Sequence, residues 1–246
     1  MRLLSDAFRS LVRLLPRQSR RNLAALPIVG PLQRRFVSLM LDGSEFEYVV
    51  DSGPAKGVKF LIRMPEDKGI WTGGYEWHFA EVIAAEMRAH AGSVAYDVGG
   101  WHGFFAGVMA ANGAKSVHVF EPLPKNQERI QHFISLNPKY QIELHRVAVG
   151  DFDREVELIV LSDSSMAKLA ISSFQMDVTG NEMLNVPARS LDSLIASGAI
   201  PPPALIKLDI EGGGGSSSRR GRQVADRAQT SPFYGGSLRR VDASML

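Results

Sequence analysis

An acidic residue and closely spaced glycines stand together in the segment AYDVGGWHGFF at residues 95–105. Asp97 ends an apolar run, and Gly99 and Gly103 follow it in the pattern D-x-G-x-x-x-G. Glycine permits positive φ and close approach of the backbone, so the pattern serves either a tight bend or a bound ligand. The chemistry that fits the acid is attraction of a cationic group near a strand end.

A second acidic residue, Glu121, ends the next apolar run in HVFEP. It stands roughly 20 residues beyond the glycine turn, the spacing at which an acid accepts hydrogen bonds from both hydroxyls of a ribose. Ligands of open α/β sheets bind outside the carboxyl ends of the strands. The two strand ends together therefore predict a nucleoside-binding site rather than a structural turn.

The identity of the nucleoside follows from what the turn lacks. The dinucleotide pattern G-x-G-x-x-G fails, because Trp101 and His102 stand where the second glycine would be needed. A carboxylate before the first glycine suits S-adenosylmethionine, which carries a sulfonium and an ammonium group. The sequence therefore predicts S-adenosylmethionine as cofactor, and a nicotinamide-dependent oxidoreductase is the less favoured alternative.

Alternating strand and helix patterns position these residues. The order predicts an α/β fold with a Rossmann-like, doubly wound, mainly parallel sheet. Before it, EFEYVVD and VKFLIRM flank a turn-rich break and predict a β-hairpin. The predicted core strands are SVAYDVG, SVHVFEP, IELHRVAVGD, EVELIVLS and ALIKLDIEG, and the predicted helices are AEVIAAEMRAHAG, GFFAGVMAANGA and LPKNQERIQHFISLN.

Composition predicts four segments. Residues 1–41 hold eight arginines and one acid, and their apolar residues recur at helical spacing, which predicts a basic helical extension. It either packs on its own domain or makes weak contact with an anionic membrane surface through residues 1–40. A lead-in hairpin and helix over 42–93 and a cofactor-binding core over 94–212 follow. Residues 213–246 are rich in glycine, serine and arginine, and we expect a disordered tail.

The tail begins where further strands of the sheet are expected. Without them the strand LIKLD loses its outer neighbours, so we expect a sheet whose C-terminal strands are missing. The composition after Gly212 resembles translation of GC-rich DNA in a wrong frame. We therefore expect a truncated or frame-shifted copy, which translation of the other two frames would test.

Whole-chain properties exclude several classes of protein. The 246 residues are 45% hydrophobic and 22% charged and include no cysteine, which excludes disulfides and thiolate metal sites. No apolar run approaches the roughly 18 residues that span a bilayer. The arginine-containing opening is unlike a secretory signal, so we expect a cytoplasmic protein. Basic ends around an acidic middle argue against nucleic acid as partner, and nothing indicates the oligomeric state.

Five blocks of the sequence together resemble the FkbM-type methyltransferases over about residues 57–212: YDVGGWHGFF, VHVFEPLPKN, HRVAVGD, VPARSLDSLI and LIKLDIEG. These are class I S-adenosylmethionine-dependent enzymes linked to O-methylation of sugars and other hydroxylated natural products. The resemblance implies a small-molecule or glycan acceptor. It also implies that the methionine part of the cofactor is held by Asp97, Gly99 and Gly103, the ribose by Glu121, and the adenine by Ala148 and Val149.

Three positions extend or depart from the family pattern. Glu76 belongs to GIWTGGYE, which resembles the family's lead-in, and it is a candidate for the cofactor or acceptor edge. Gly100 and Trp101 stand where the family usually has alanine and asparagine, which changes what lines the cofactor pocket. Asp151 either borders the adenine or caps a loop.

The candidate catalytic residues are Asp209 and Glu211, which share one side of the strand KLDIEG because side chains alternate. Either can act as base on an acceptor hydroxyl, contact the substrate, hold a divalent ion as a pair, or merely cap the loop. Lys207 shares their face and can pair with either. We predict the base or substrate role and no metal site.

Histidines and tryptophans supply further alternatives. His102 and His78 are less favoured bases, since a lone histidine is more often packed or exposed without a catalytic role. Sugar stacking and core packing remain alternatives for Trp71, Trp77 and Trp101. The alternative to an active O-methyltransferase is a catalytically incomplete pseudoenzyme that binds the cofactor only.

Overall fold

The computed structural model describes residues 43–151, 153–160, 167–169, 182–208 and 239–242, of which 167–169 and 239–242 are described by their backbone. The chain divides into two compact units between Glu81 and Val82. The predicted extension over 1–41, with its proposed membrane contact, lies outside the described residues. None of the described helices has both the length and the apolar character needed to cross a bilayer.

The first unit contains the predicted hairpin. Strands β1 (Glu45–Val49) and β2 (Lys59–Arg63) pair antiparallel, with Tyr48 opposite Phe60. Their alternating inward residues are apolar and buried, which is the period-2 pattern of a half-buried strand pair. A short helix, α1 (Lys68–Thr72), follows, and its Trp71 is buried against Phe46 with ring centroids 6.1 Å apart. Trp71 is therefore a core residue.

The second unit contains the predicted parallel sheet. Its strands are β3 (Val94–Val98), β4 (Ser116–Phe120), β5 (Ile142–His145), β10 (Leu205–Leu208) and β11 (Arg239–Asp242). Their order is β11-β10-β3-β4-β5, and every neighbouring pair is parallel. The prediction of a Rossmann-like α/β fold is confirmed. Helix α2 (Trp77–Ala89) begins in the first unit, before the predicted start of that helix, and helices α3 (Phe104–Ala111) and α4 (Pro124–Leu136) follow β3 and β4.

The central strands are almost wholly buried, as expected for a parallel sheet covered on both faces. One face packs against helix α5 (Leu191–Ala196). Ser190 caps the N-terminus of this helix, and its hydroxyl accepts the N–H of Ser193 at 3.1 Å. The buried residues of this face are Tyr96, Val98, Phe120, Leu191, Ile195, Ile200, Ile206 and Leu208.

A second, four-stranded sheet was not predicted. Its order is β6 (Ala148–Gly150), β9 (Glu182–Ser190), β7 (Arg154–Val160) and β8 (Ala167–Leu169). The pairs β7–β9 and β7–β8 are antiparallel, and β6–β9 is parallel. The predicted single strand IELHRVAVGD is therefore two strands: β5 ends at His145, and β6 belongs to the other sheet.

The C-terminal segment differs from the expectation of a wholly strandless tail. Strand β11 pairs parallel with β10, with Leu205 opposite Arg239 and Leu208 opposite Asp242. It covers the edge of β10 that the prediction left without its neighbour, and an exposed edge of a buried strand is a liability. Residues 209–238 and 243–246 lie outside the described residues, so the rest of that prediction, including the frame shift, stays a prediction.

Candidate functional site

The turn between β3 and α3 has an unusual backbone. The φ angles of Gly99, Trp101 and Gly103 are 78°, 46° and 83°. The N–H groups of Gly99 and Gly100 both donate to the Phe120 carbonyl, at 2.9 and 3.3 Å. These bonds tie the turn to the carboxyl end of β4, so the two strand ends singled out in the sequence lie side by side.

Close packing within the protein requires glycine at positions 100 and 103. A Cβ on Gly100 would lie 2.2 Å from Cγ1 of Val119, and one on Gly103 would lie 2.6 Å from Cδ1 of Phe133. Both distances are far below van der Waals contact. Close packing of the turn on β4 and α4 therefore accounts for glycine at both positions, and the contact of Gly103 with the cofactor stays a prediction.

Asp97 fixes the turn through buried contacts with α3 and β10. Its side chain is fully buried; Oδ2 accepts the N–H of Ala106 at 3.0 Å, and Oδ1 lies 3.0 Å from Nζ of Lys207. Lys207 also donates to the Gly99 carbonyl at 2.8 Å and lies 5.0 Å from the ring centre of Phe105. The carboxylate thus joins the first turn of α3 to β10, where a helix N-terminus favours negative charge.

Glu121 follows directly after β4 and faces the same turn. Oε2 accepts the N–H of Trp101 at 2.9 Å, while Oε1 accepts the N–H of Leu123 at 3.0 Å and the Asn126 amide at 3.3 Å. Burial raises the pKa of Glu121, and these hydrogen bonds together with the charge of Lys207 oppose the rise. Since a carboxylate has about four acceptor positions, this group keeps capacity for a hydroxyl donor.

Aromatic and basic side chains surround the turn. The ring centroids of Trp101 and His102 are 3.8 Å apart with the rings tilted by 30°, and the guanidinium of Arg129 lies 5.8 Å from the Trp101 ring centre. Burial lowers the pKa of His102 well below its usual value, and the charges of Arg129 and Lys207 lower it further. A buried, neutral imidazole is a weak base, which argues against His102 as the proton acceptor.

The other predicted cofactor residues lie at different places. Ala148 and Val149 are partly buried in β6, just beyond the end of β5. Ala148 packs against the apolar cluster of the second sheet, whereas Val149 packs against the α5 face of the parallel sheet. Glu76 belongs to the first unit, is exposed with a φ of 41°, and its carbonyl accepts the Ala80 N–H at the start of α2.

The two predicted catalytic acids, Asp209 and Glu211, lie outside the described residues, immediately after β10 in the sequence. Lys207, which the sequence allowed to pair with either acid, is bound to Asp97 and Gly99. His78 is exposed in the first unit.

Sequence reasoning missed the groups that hold Glu121 in place. The side-chain amide of Gln127 donates to the carbonyls of Glu121 and Pro122, both at 3.0 Å, and its oxygen accepts from Arg146 at 2.9 Å. Sequence reasoning also missed the contact between Lys207 and Asp97. The signal for it was a lysine inside the apolar run LIKL, because a buried ammonium needs an anionic partner. The sequence did not say which anion.

A parallel sheet with a glycine turn after one strand and a buried acid after the next defines a Rossmann-like α/β protein. The chain matches the Methyltransferase FkbM domain over residues 89–214, about half its length, and it belongs to that family. This confirms the resemblance found in the sequence. None of the curated proteins matches the chain.

Solved structures give weaker matches. The FkbM methyltransferase of Methylobacillus flagellatus KT is 17% identical with a TM-score of 0.38, over 58% of this chain and 31% of that one. The C-terminal domain of precorrin-6Y C5,15-methyltransferase from Rhodobacter capsulatus is 16% identical with a TM-score of 0.37, over 68% of this chain and 61% of that one. This chain thus spans about a third of the first protein and under two thirds of the second.

Proposed function

We propose that this chain transfers a methyl group from S-adenosylmethionine to a hydroxyl of a sugar, glycan or hydroxylated natural product. The observation that carries the proposal is the Glu121 carboxylate, fixed by three hydrogen bonds at the carboxyl end of β4 and in direct contact with the glycine turn. Membership of a methyltransferase family supports the reaction class.

The residues present fit an adenosyl cofactor in its ribose part. The donors on Glu121 are backbone and amide N–H groups that fix the carboxylate plane, and a ribose hydroxyl is a donor that its one remaining acceptor position suits. For Asp97 we propose a role other than contact with the methionine part, which the sequence suggested. Its buried oxygens bind Ala106 and Lys207, so we assign it to positioning the turn rather than to direct contact with the methionine part.

When bound, S-adenosylmethionine supplies a methyl group already activated by a positive sulfur. The protein must then orient an acceptor hydroxyl and remove its proton. We assign the proton to Asp209 or Glu211, because they follow β10, which lies beside β3 with Lys207 opposite Asp97. Ala148 and Val149, beyond β5, are assigned to the adenine edge.

Binding is tested by calorimetry with S-adenosylhomocysteine, its 2′-deoxy analogue and NAD. We expect the unmodified chain to bind S-adenosylhomocysteine, to bind the deoxy analogue at least about tenfold more weakly, and not to bind NAD. In Glu121→Gln the difference between the two adenosyl ligands should shrink, since the hydroxyl has lost its acceptor. Glu128→Gln, an exposed change on α4, is the matched control. An unchanged discrimination in Glu121→Gln would refute the ribose assignment.

Turnover is tested with S-adenosylmethionine and a panel of glycans and polyhydroxylated small molecules. We expect S-adenosylhomocysteine to be released with an O-methylated product, and Asp209→Asn or Glu211→Gln to lower kcat more than cofactor affinity. Cofactor binding without transfer to any acceptor would favour the pseudoenzyme. A product methylated on nitrogen or carbon would contradict the hydroxyl assignment.

A further inference from the structure

Three side chains on β4 and its neighbour β5 converge at a place that the proposed reaction does not use. His118 lies on β4, and Glu143 and His145 lie on β5. The parallel register sets Glu143 opposite His118 and His145 opposite Phe120. Because side chains alternate along a strand, all three project from the same face. Nδ1 of His118 and Nε2 of His145 are 2.9 Å apart.

The carboxylate stands close to both nitrogens without bonding to either. Its oxygens lie 3.7 Å from Nδ1 of His118 and 3.8 Å from Nε2 of His145, beyond hydrogen-bond distance. All three ligand atoms lie within 4.8 Å of one another. Ligands about 2.0–2.1 Å from a tetrahedral zinc ion are themselves roughly 3.3 Å apart, so small side-chain shifts would bring these atoms to a shared ion.

Aromatic packing holds both imidazoles in place. The His145 ring stacks on Phe120 with centroids 4.8 Å apart, and the His118 ring contacts Tyr96 edge to face at 5.6 Å. The Glu143 side chain is 63% exposed, which leaves a path for an ion from solvent.

We propose that His118, Glu143 and His145 form a binding site for a divalent transition-metal ion of the Zn²⁺ class, joining β4 to β5. Two imidazole nitrogens and one carboxylate oxygen make the donor set that zinc accepts, with a fourth position for water. The sequence predicted no metal site. These three ligands have no motif spacing, and only strand pairing brings them together. Glu121 follows β4 directly, so the ion would stabilise the strand that positions Glu121.

The full-length chain, stripped of metal with a chelator and then dialysed, is titrated with Zn²⁺ by calorimetry and with Co²⁺ by visible absorption. We expect one equivalent to bind, a tetrahedral Co²⁺ spectrum, and a rise in Tm with added Zn²⁺. Glu143→Gln and His145→Gln should each weaken Zn²⁺ binding by at least about tenfold. Glu143 is exposed, so its substitution leaves the core intact.

His132→Gln on α4 is the matched control, since His132 is exposed and outside the cluster. It should bind Zn²⁺ like the unmodified chain. Absence of saturable binding, or equal Zn²⁺ affinity in the unmodified chain and in both ligand variants, overturns the proposal. Binding lost in His132→Gln but kept in the other variants also overturns it, because the ion would then sit on surface histidines.

Discussion

At the scale of single residues, Lys207 decides how the turn is built. Its ammonium is almost fully buried between the Asp97 carboxylate, the Gly99 carbonyl and the Phe105 ring. We expect Lys207→Met to lower the free energy of unfolding by about 3–5 kcal/mol, because it leaves a buried carboxylate without its cation. Urea unfolding followed by circular dichroism measures the loss.

The control for this prediction removes both charges. In the double variant Asp97→Asn with Lys207→Met no anion is left buried alone, so it should be more stable than Lys207→Met. If the losses of Lys207→Met and Asp97→Asn add up to the loss of the double variant, the contact carries no coupling energy. The assignment of Asp97 to positioning would then fail.

Glu121 predicts the pH dependence of cofactor binding. Burial raises the pKa of Glu121, so protonation begins at higher pH than for an exposed glutamate. The ionised form accepts from ribose hydroxyls; affinity is therefore present above the raised pKa and lost as pH falls through it. Titrating S-adenosylhomocysteine at decreasing pH should show this fall in the unmodified chain at a higher pH than an exposed glutamate would give. Glu121→Gln should give a flat profile, and an equal fall in both proteins would refute the assignment.

At the scale of elements, the glycines of the turn separate backbone strain from packing. Gly103→Ala places a Cβ 2.6 Å from the Phe133 ring at a φ of 83°. We expect a loss of about 2–5 kcal/mol, the sum of left-handed strain and overpacking. Gly92→Ala is the matched control, because Gly92 has a φ of 82° and nothing within 4 Å of the added Cβ.

The control should therefore lose only the backbone part, about 1–2 kcal/mol. Thermal unfolding of both variants measures the difference. Equal losses would mean that the ring of Phe133 moves aside at no cost, and that α4 does not pack on the turn as tightly as the distances indicate.

Local sequence patterns predicted most of the hairpin and of the central strands and helices. The hairpin and the strands and helices around Asp97 and Glu121 follow from hydrophobic periodicity and turn residues. Strand β9 was missed because it carries Pro187, and proline argues against a strand inside a sheet. The break after His145 was missed because apolar residues continue through it. Which sheet a strand joins depends on contacts between distant segments, which periodicity does not encode.

The same limit applied to the site. The proximity of Asp97, the glycines and Glu121 followed from the rule that parallel strands end at one edge. The contact of Lys207 with Asp97 did not, because alternation along the strand offered only Asp209 or Glu211 as partners, whereas the register with β3 sets Lys207 opposite Asp97. The histidine cluster likewise depends on the register of β4 and β5. Cross-strand register is a property of the folded sheet and not of either strand's sequence.

At the scale of the whole molecule, the sheet is completed by residues beyond the family match. That match ends at residue 214, yet β11 (Arg239–Asp242) pairs along the full length of β10. All four residues of β10 are buried, so its backbone edge needs a partner strand. We expect a chain ending at residue 238 to aggregate and to unfold at lower temperature than the full chain.

A chain ending at residue 242 is the matched control, because it loses the last four residues but keeps β11. Light scattering and thermal unfolding of the two shortened chains isolate the contribution of the strand. The chain ending at 242 should behave like the full one, since its hydrogen-bonded ladder on β10 is intact. If both shortened chains stay monomeric with equal Tm, β10 does not depend on β11. Another segment must then protect the edge beside Lys207, and with it the turn that Lys207 holds.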